Sequence, residues 1–346
     1  MKVKSSYAII IAIAMGFTNC KKDSGIQPVL NTEGNNNLAE TSLAASGVPR
    51  NSVFTIAGGP YSTGPTLVNG TGKNAHFYGP VGIQLMDDGT TIYVADAHNN
   101  VIRKVTTSGV VTTFNGFKPG SPPLSEPQYI GITKSGTINI IAKDPGEGFS
   151  EARIYKPDGT LVTLQTYFYA IFATLAKDPY QDIFWFNQGV STRKFLLSPD
   201  GFIGTDQLET TNEYLPEFSE AHPFFRGLFV GYNKVTYFTY NNQLYKHTPG
   251  NIGALIFPNL FFENITCIVA NKDSRTIYVA DNGHIRRLDD GRLSTIAGPN
   301  NTNSDDRDGV GFKADVNAQY LALSKDESTL YFSDTKANAI RKIVLR

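Results

Sequence analysis

Apolar residues recur along the chain in short alternating runs, and three of these runs are near copies of one another. "TIYVADAHNNVIRKV" (91–105), "TIYVADNGHIRRL" (276–288) and "TLYFSDTKANAIRKI" (329–343) each read as a strand ending on an aspartate, a polar turn, and a return strand bearing an arginine. Alternation into and out of a polar turn is the pattern of a β-hairpin. Taking Asn99–Asn100 and Ala337–Asn338 as two-residue loops sets Asp96 opposite Arg103 and Asp334 opposite Arg341, whereas Asn282–Gly283 leaves Asp281 diagonal to Arg286. These pairs are expected to be structural and to hold hairpin register, at about 0.2–1 kcal/mol each.

The spacing of the copies predicts the architecture. Ile92 to Ile277 spans 185 positions, four steps of about 46, and Ile277 to Leu330 spans 53. A period in the forties with short strands is the mark of a propeller blade. At the intermediate steps stand "INIIAKD", "IFWFNQG" and "VTYFTYN", and a further apolar strand precedes each unit. The expectation is an all-β, six-bladed β-propeller. Its last unit runs out of chain after "AIRKIVLR", and "VFTIAGG" (53–59) nearly duplicates "LSTIAGP" (293–299), the outer strand of the fifth unit. The N-terminal strand should therefore pair in the last blade and close the ring, because an open edge is a liability.

The first residues change the picture of where the domain begins. Lys2 and Lys4 lead into an apolar run, Tyr7 to Phe17, which is short for a membrane-spanning helix and ends at "FTNC" before "KKDSG". This resembles a bacterial lipoprotein signal of the Bacteroidetes type. The resemblance implies a signal peptide over 1–19, lipidation of Cys20, and a place in the cell envelope, on the outer membrane of a Gram-negative bacterium, facing the periplasm or the exterior. Residues 20–50 are small and polar and read as a flexible tether, which leaves 51–346 as the propeller. After Cys20 only Cys267 remains, in the strand-like "NITCIVA", where it reads as core filler.

"GPVGIQLMDDGTTIYVADAHNNVIRKVTTSGVVTTFNG" resembles an NHL repeat, in which P-x-G-(V/I), D-G, YVAD and N-x-x-I-R follow in order. "TIAGPNNTNSDDRDGVGFKADVNAQYLAL" is similar to the linker between blades of that family. Propellers of this kind include an amidating lyase with histidine-held zinc, RNA-binding modules, and scaffold or sensor domains. Related lactonases hold a metal with carboxylates.

The residues favour the non-catalytic members. Balanced charge, 31 Lys+Arg against 31 Asp+Glu, and the export signal oppose nucleic acid as a partner. Of five histidines, only His76 and His222 occupy comparable places, just ahead of an innermost strand, and catalytic zinc needs three converging ligands. Ser304, Asp306, Asp308, Gly309 and Asp315 match calcium-loop spacing, but position 12 lacks its Glu, and Asn69 replaces Asp308 in the first linker. No catalytic residue, metal or cofactor is assigned. Aromatic residues instead open every innermost strand. Some should wedge between sheets, and the surplus could line a pocket at the channel mouth. The candidate ligand-binding set is His76, Tyr78, Tyr129, Tyr169, His222, Phe225, Arg226, Phe262 and Tyr320, on the face that carries the linkers and hairpin turns. The expected function is a membrane-anchored binding or scaffold module for a glycan, peptide or protein. The alternative is an enzyme of the amidating-lyase or lactonase type.

Overall fold

The computed structural model describes residues 47–60, 67–143, 150–166, 174–187, 193–198, 201–207, 226–251, 253–299 and 307–346. The chain enters through β1 (Ser52–Gly58) and the short β2 (Gly70–Thr71), then builds four-stranded meanders. Sheet I holds β3 (Pro80–Leu85), β4 (Thr91–Asp96), β5 (Val101–Thr106) and β6 (Val110–Thr113), with β2 beside β6. Sheet II holds β7 (Tyr129–Ile132), β8 (Ile138–Lys143), β9 (Ser150–Tyr155) and β10 (Leu161–Thr166). Sheet III holds β11 (Thr174–Lys177), β12 (Phe184–Asn187), β13 (Arg193–Ser198) and β14 (Gly201–Gln207). Sheet IV holds β15 (Leu228–Val230), β16 (Thr236–Tyr240), β17 (Gln243–His247) and β18 (Ala254–Leu255). Sheet V holds β19 (Ile265–Ala270), β20 (Thr276–Asp281), β21 (His284–Asp289) and β22 (Arg292–Ala297). Sheet VI ends the chain with β23 (Gly309–Val310), β24 (Ala318–Leu323), β25 (Thr329–Asp334) and β26 (Ala339–Val344). β1 lies in this last sheet between β23 and β26, with Val53 opposite Ile343. This is an all-β propeller fold.

The core lies between sheets rather than within one. Ile92, Val94 and Val105 of sheet I meet Ile56 and Ile340 of sheet VI, and Ile102 of sheet I meets Ile130, Ile138 and Ile140 of sheet II. A sheet covered on both faces needs apolar residues on both, which is why "INIIA" is buried at every position. Each first strand packs on the next: β3 on β7, β7 on β11, β11 on β15, β15 on β19, β19 on β24, and β24 on β3.

The hairpin register differs from the sequence expectation in two of the three copies. Arg103 stands opposite Val94, and Asp96 opposite Val101, so the turn has four residues, Ala97–Asn100. Likewise Arg341 faces Phe332 and Asp334 faces Ala339 across Thr335–Asn338. In both turns the last asparagine takes the left-handed conformation, at φ 57° and 50°. The aspartates favour the longer turn, because each binds it internally: Asp96 accepts from the Asn99 amide and Asp334 from the Ala337 N–H. The middle copy keeps the two-residue loop Asn282–Gly283, with Asp281 diagonal to Arg286.

The pairs form despite the shifted register, but they are not surface pairs. Arg103 Nη1 lies 2.9 Å from Asp96 Oδ2 and Arg341 Nη1 lies 2.9 Å from Asp334 Oδ2, with all four side chains sealed from water. Each guanidinium also donates to the segment entering its own sheet. Arg103 reaches the carbonyls of His76 and Val68 and the Asn69 side chain. Arg341 reaches the carbonyls of Asp315 and Arg307 and the Asp308 carboxylate. The pair is thus a staple between hairpin and linker, and the small cross-strand magnitude expected from sequence does not apply. Arg286, partly exposed, binds Asp281 at 3.1 Å and the Thr295 hydroxyl.

Candidate functional site

Two cavities that share lining residues run along the first strands of the sheets and together form a channel. The inner one, about 200 Å³, is lined by Gln84, Tyr129, Thr174, Arg226, Cys267 and Tyr320 among mostly aliphatic neighbours. The outer one, about 550 Å³, opens among the turns that join first to second strands. Leu85, Lys177, Phe229, Val269 and Leu323 line both.

Of the candidate residues, three converge. Tyr129 opens β7, Tyr320 sits in β24, and Arg226 precedes β15, so all three enter the inner cavity from the linker end. The Tyr320 hydroxyl donates to that of Tyr129 at 2.6 Å, and the rings meet edge to face at 4.8 Å. Burial raises both phenols above their ordinary range. Arg226 Nη1 donates to Asn264.

The others serve elsewhere. The His76 carbonyl is held by Arg103, and its backbone bridges Val68. Tyr78 gives its N–H to Asp96 and sets its ring on His98 at 4.8 Å. Phe262 packs on the core between sheets IV and V. The interleaved wedge in the first unit is Phe77, fully buried beneath the Arg103 guanidinium at 5.1 Å. Tyr169, His222, Phe225 and Cys20 lie outside the described residues. Cys267, half-buried, packs against the core between sheets V and VI and also lines the inner cavity. Asp308, weighed as a calcium ligand, spends its carboxylate on Arg341 and on Thr55, whose N–H and hydroxyl it accepts at 3.0 and 2.9 Å.

The larger cavity stands at the end of the channel opposite the expected face. Its rim is a network of opposite charges joining successive turns. Asp87 of sheet I takes Lys177 at 2.8 Å and Lys134 at 3.3 Å, while Asp182 accepts the N–H groups of Lys134 and Ser135. Burial would raise Asp87, but Lys177 first and Lys134 second outweigh it and hold the carboxyl below its usual value. On the far side, Glu327 accepts the Lys272 N–H. Tyr180 and Tyr232 stand exposed at 56% and 45%, their rings 6.3 Å apart and nearly perpendicular. Beneath them Asp178 holds the Nε1–H of Trp185, the chain's one tryptophan, at 2.9 Å. The signal for this rim was present in the sequence as "KDPYQD" and "GYNK", turns of adjacent units with one tyrosine each, but alternation marks turns only as breaks.

No family model matches the chain, and no curated protein matches it. Solved structures do. A Bacteroides thetaiotaomicron protein of unknown function superposes with a TM-score of 0.61 at 18% identity, covering 85% of this chain and 75% of that one. An auxiliary nutrient binding protein from Bacteroides ovatus gives 0.60 at 14%, covering 86% and 77%. Another of that description, from Bacteroides thetaiotaomicron, gives 0.60 at 15%, covering 84% and 75%. At such identities the likeness is one of fold.

Proposed function

We propose that the protein is a lipid-anchored envelope protein whose propeller binds a solute, a glycan or peptide, at the 550 Å³ mouth of its channel. The observation that carries this reading is the mouth itself: a concave space of ligand size, two exposed tyrosines on one side and a charged network around the rim. Tyrosine offers area and a hydroxyl with little loss of side-chain freedom, which suits recognition of polar solutes. Propellers of the same fold described as auxiliary nutrient binding proteins support a binding role. In this reading the six sheets are the blades of one NHL-like ring, closed by β1; the first-strand packing from β3 round to β24 and back supports it.

The test is titration of Trp185 fluorescence with a panel of oligosaccharides and peptides. Tyr180→Ala and Tyr232→Ala should weaken binding by about tenfold or more while the melt stays within about 0.5 kcal/mol of the parent. Binding that is indifferent to both changes removes the mouth as the site. Turnover of a panel member that EDTA abolishes would favour a metal enzyme instead. Anchoring is tested separately: Cys20→Ser should abolish fatty-acyl labelling and release the protein from membranes.

A further inference from the structure

The two parts of the channel differ in chemistry, and a ligand held only at the mouth would use one of them. The mouth is rimmed by charge and tyrosine. The neck that joins it to the inner cavity is a collar of Leu85, Phe229, Val269 and Leu323, one each from sheets I, IV, V and VI. All four are only partly buried. Lys177, which also lines both cavities, carries its ammonium to Asp87 on the rim. Beyond the collar, Leu175, Leu228, Ile268 and Leu321 continue the apolar wall. Polar side chains of the inner cavity are turned to the protein: Gln84 donates to and accepts from Ile132, Thr266 donates to the Gln319 carbonyl, and Arg226 donates to Asn264. Thr174, whose Oγ1 has no hydrogen-bond partner, stands at the end away from the mouth.

Apolar side chains held open inside a channel gain most from an apolar group, because contact releases the water that covers them. A polar group passing the same collar would give up its water and find no hydrogen bond there in return. The inner cavity measures about 200 Å³. An apolar cavity of about 150 Å³ takes benzene, so there is room for a chain of about six carbons. We propose that the ligand at the mouth is amphipathic: its polar head sits among the rim charges and tyrosines, and it carries an alkyl chain of about six carbons that passes the collar into the inner cavity. This rests on the mouth being a binding site and adds what its ligand must carry.

The probes are methyl, butyl, hexyl and octyl β-glucoside, kept below micelle-forming concentrations and read by calorimetry. Each methylene that enters the cavity should tighten binding about threefold to fourfold, so hexyl glucoside should bind about tenfold more tightly than butyl, and octyl should add little. The heat-capacity change of binding should grow more negative from methyl to hexyl. Ala322→Leu, which takes up part of the inner cavity, should remove the gain from butyl to hexyl. Val269→Thr, which sets a hydroxyl in the collar at nearly unchanged shape, should weaken hexyl glucoside severalfold and carries the test if Ala322→Leu fails to fold. Tyr180→Ala should weaken every member by a similar factor and keep the gain per carbon. Equal affinity along the series, with the dependence on Tyr180 intact, overturns the chain site and leaves the mouth reading standing. A gain per carbon that is indifferent to Tyr180→Ala and Tyr232→Ala sinks the mouth reading and leaves the chain site standing. If hexyl glucoside does not bind, the cavity holds water only and the proposal is overturned, since the chain alone should make binding measurable. It is overturned equally if both inner variants bind the series like the parent.

Discussion

Arg341 holds Asp334 at 2.9 Å with neither side chain reaching water, and the same guanidinium grips the Asp315 and Arg307 carbonyls of the incoming linker. Arg103 does the same in sheet I with Asp96, His76 and Val68. The repeat therefore carries a staple joining each of these hairpins to the segment that delivers the chain into the sheet.

Removing one partner of such a staple strands the other without water. Arg103→Met or Asp96→Asn should cost about 3–5 kcal/mol in urea unfolding. The double substitution should cost less than the sum of the two. Arg286→Gln, at a pair whose arginine is 23% exposed, should cost about 1 kcal/mol or less. Equal losses at Arg103 and Arg286 would show that burial does not set the difference.

β1 carries a second prediction. It brings Val53, Ile56 and Ala57 into two inter-sheet clusters and pairs on both edges, with β26 and β23. Deleting residues 47–59 should abolish the cooperative melt of the whole domain. Thr55→Val keeps the strand and removes only the hydroxyl bound to Asp308, so its cost should be about 1 kcal/mol. A deletion that melts like the parent would contradict the pairing.

Sheets I and II meet backbone to backbone at a glycine. Gly82 donates to the Gln128 carbonyl at 3.0 Å, and a Cβ there would stand 2.4 Å from that oxygen. Gly82→Ala should destabilise by about 1–3 kcal/mol, measured by denaturant, because backbone rather than a flexible side chain must yield.

Cys267 makes the pH prediction. Burial pushes its thiol up to about 12 from an ordinary 9.0. The neutral form is the folded form, so this contribution to stability is complete below pH 9 and is lost as pH rises toward 12. At pH 8 iodoacetamide should label Cys267 orders of magnitude more slowly in the native protein than in urea, since only the thiolate attacks. Equal rates would place the thiol in water.

The sequence by itself determined the strand succession, the repeat near 46 residues, and the return of "VFTIAGG" to the last sheet. These follow from local signals: alternation, turn residues, and duplicated segments that fold alike because they meet like neighbours. It also named the partners Asp96 with Arg103 and Asp334 with Arg341, but not their register. The register depends on the aspartate turning inward to bind Asn99 or the Ala337 N–H, a choice that spacing alone does not express. Only the tertiary structure decided that these pairs are buried, since the linker that seals them comes from about 30 residues upstream. It also decided which aromatics matter to the channel. Tyr129 and Tyr320 stand 191 residues apart, and they share a hydrogen bond because the path from β3 through β7 and β24 brings their sheets to either side of sheet I. Tyr180 and Tyr232 looked like ordinary turn residues until adjacent sheets set their rings side by side.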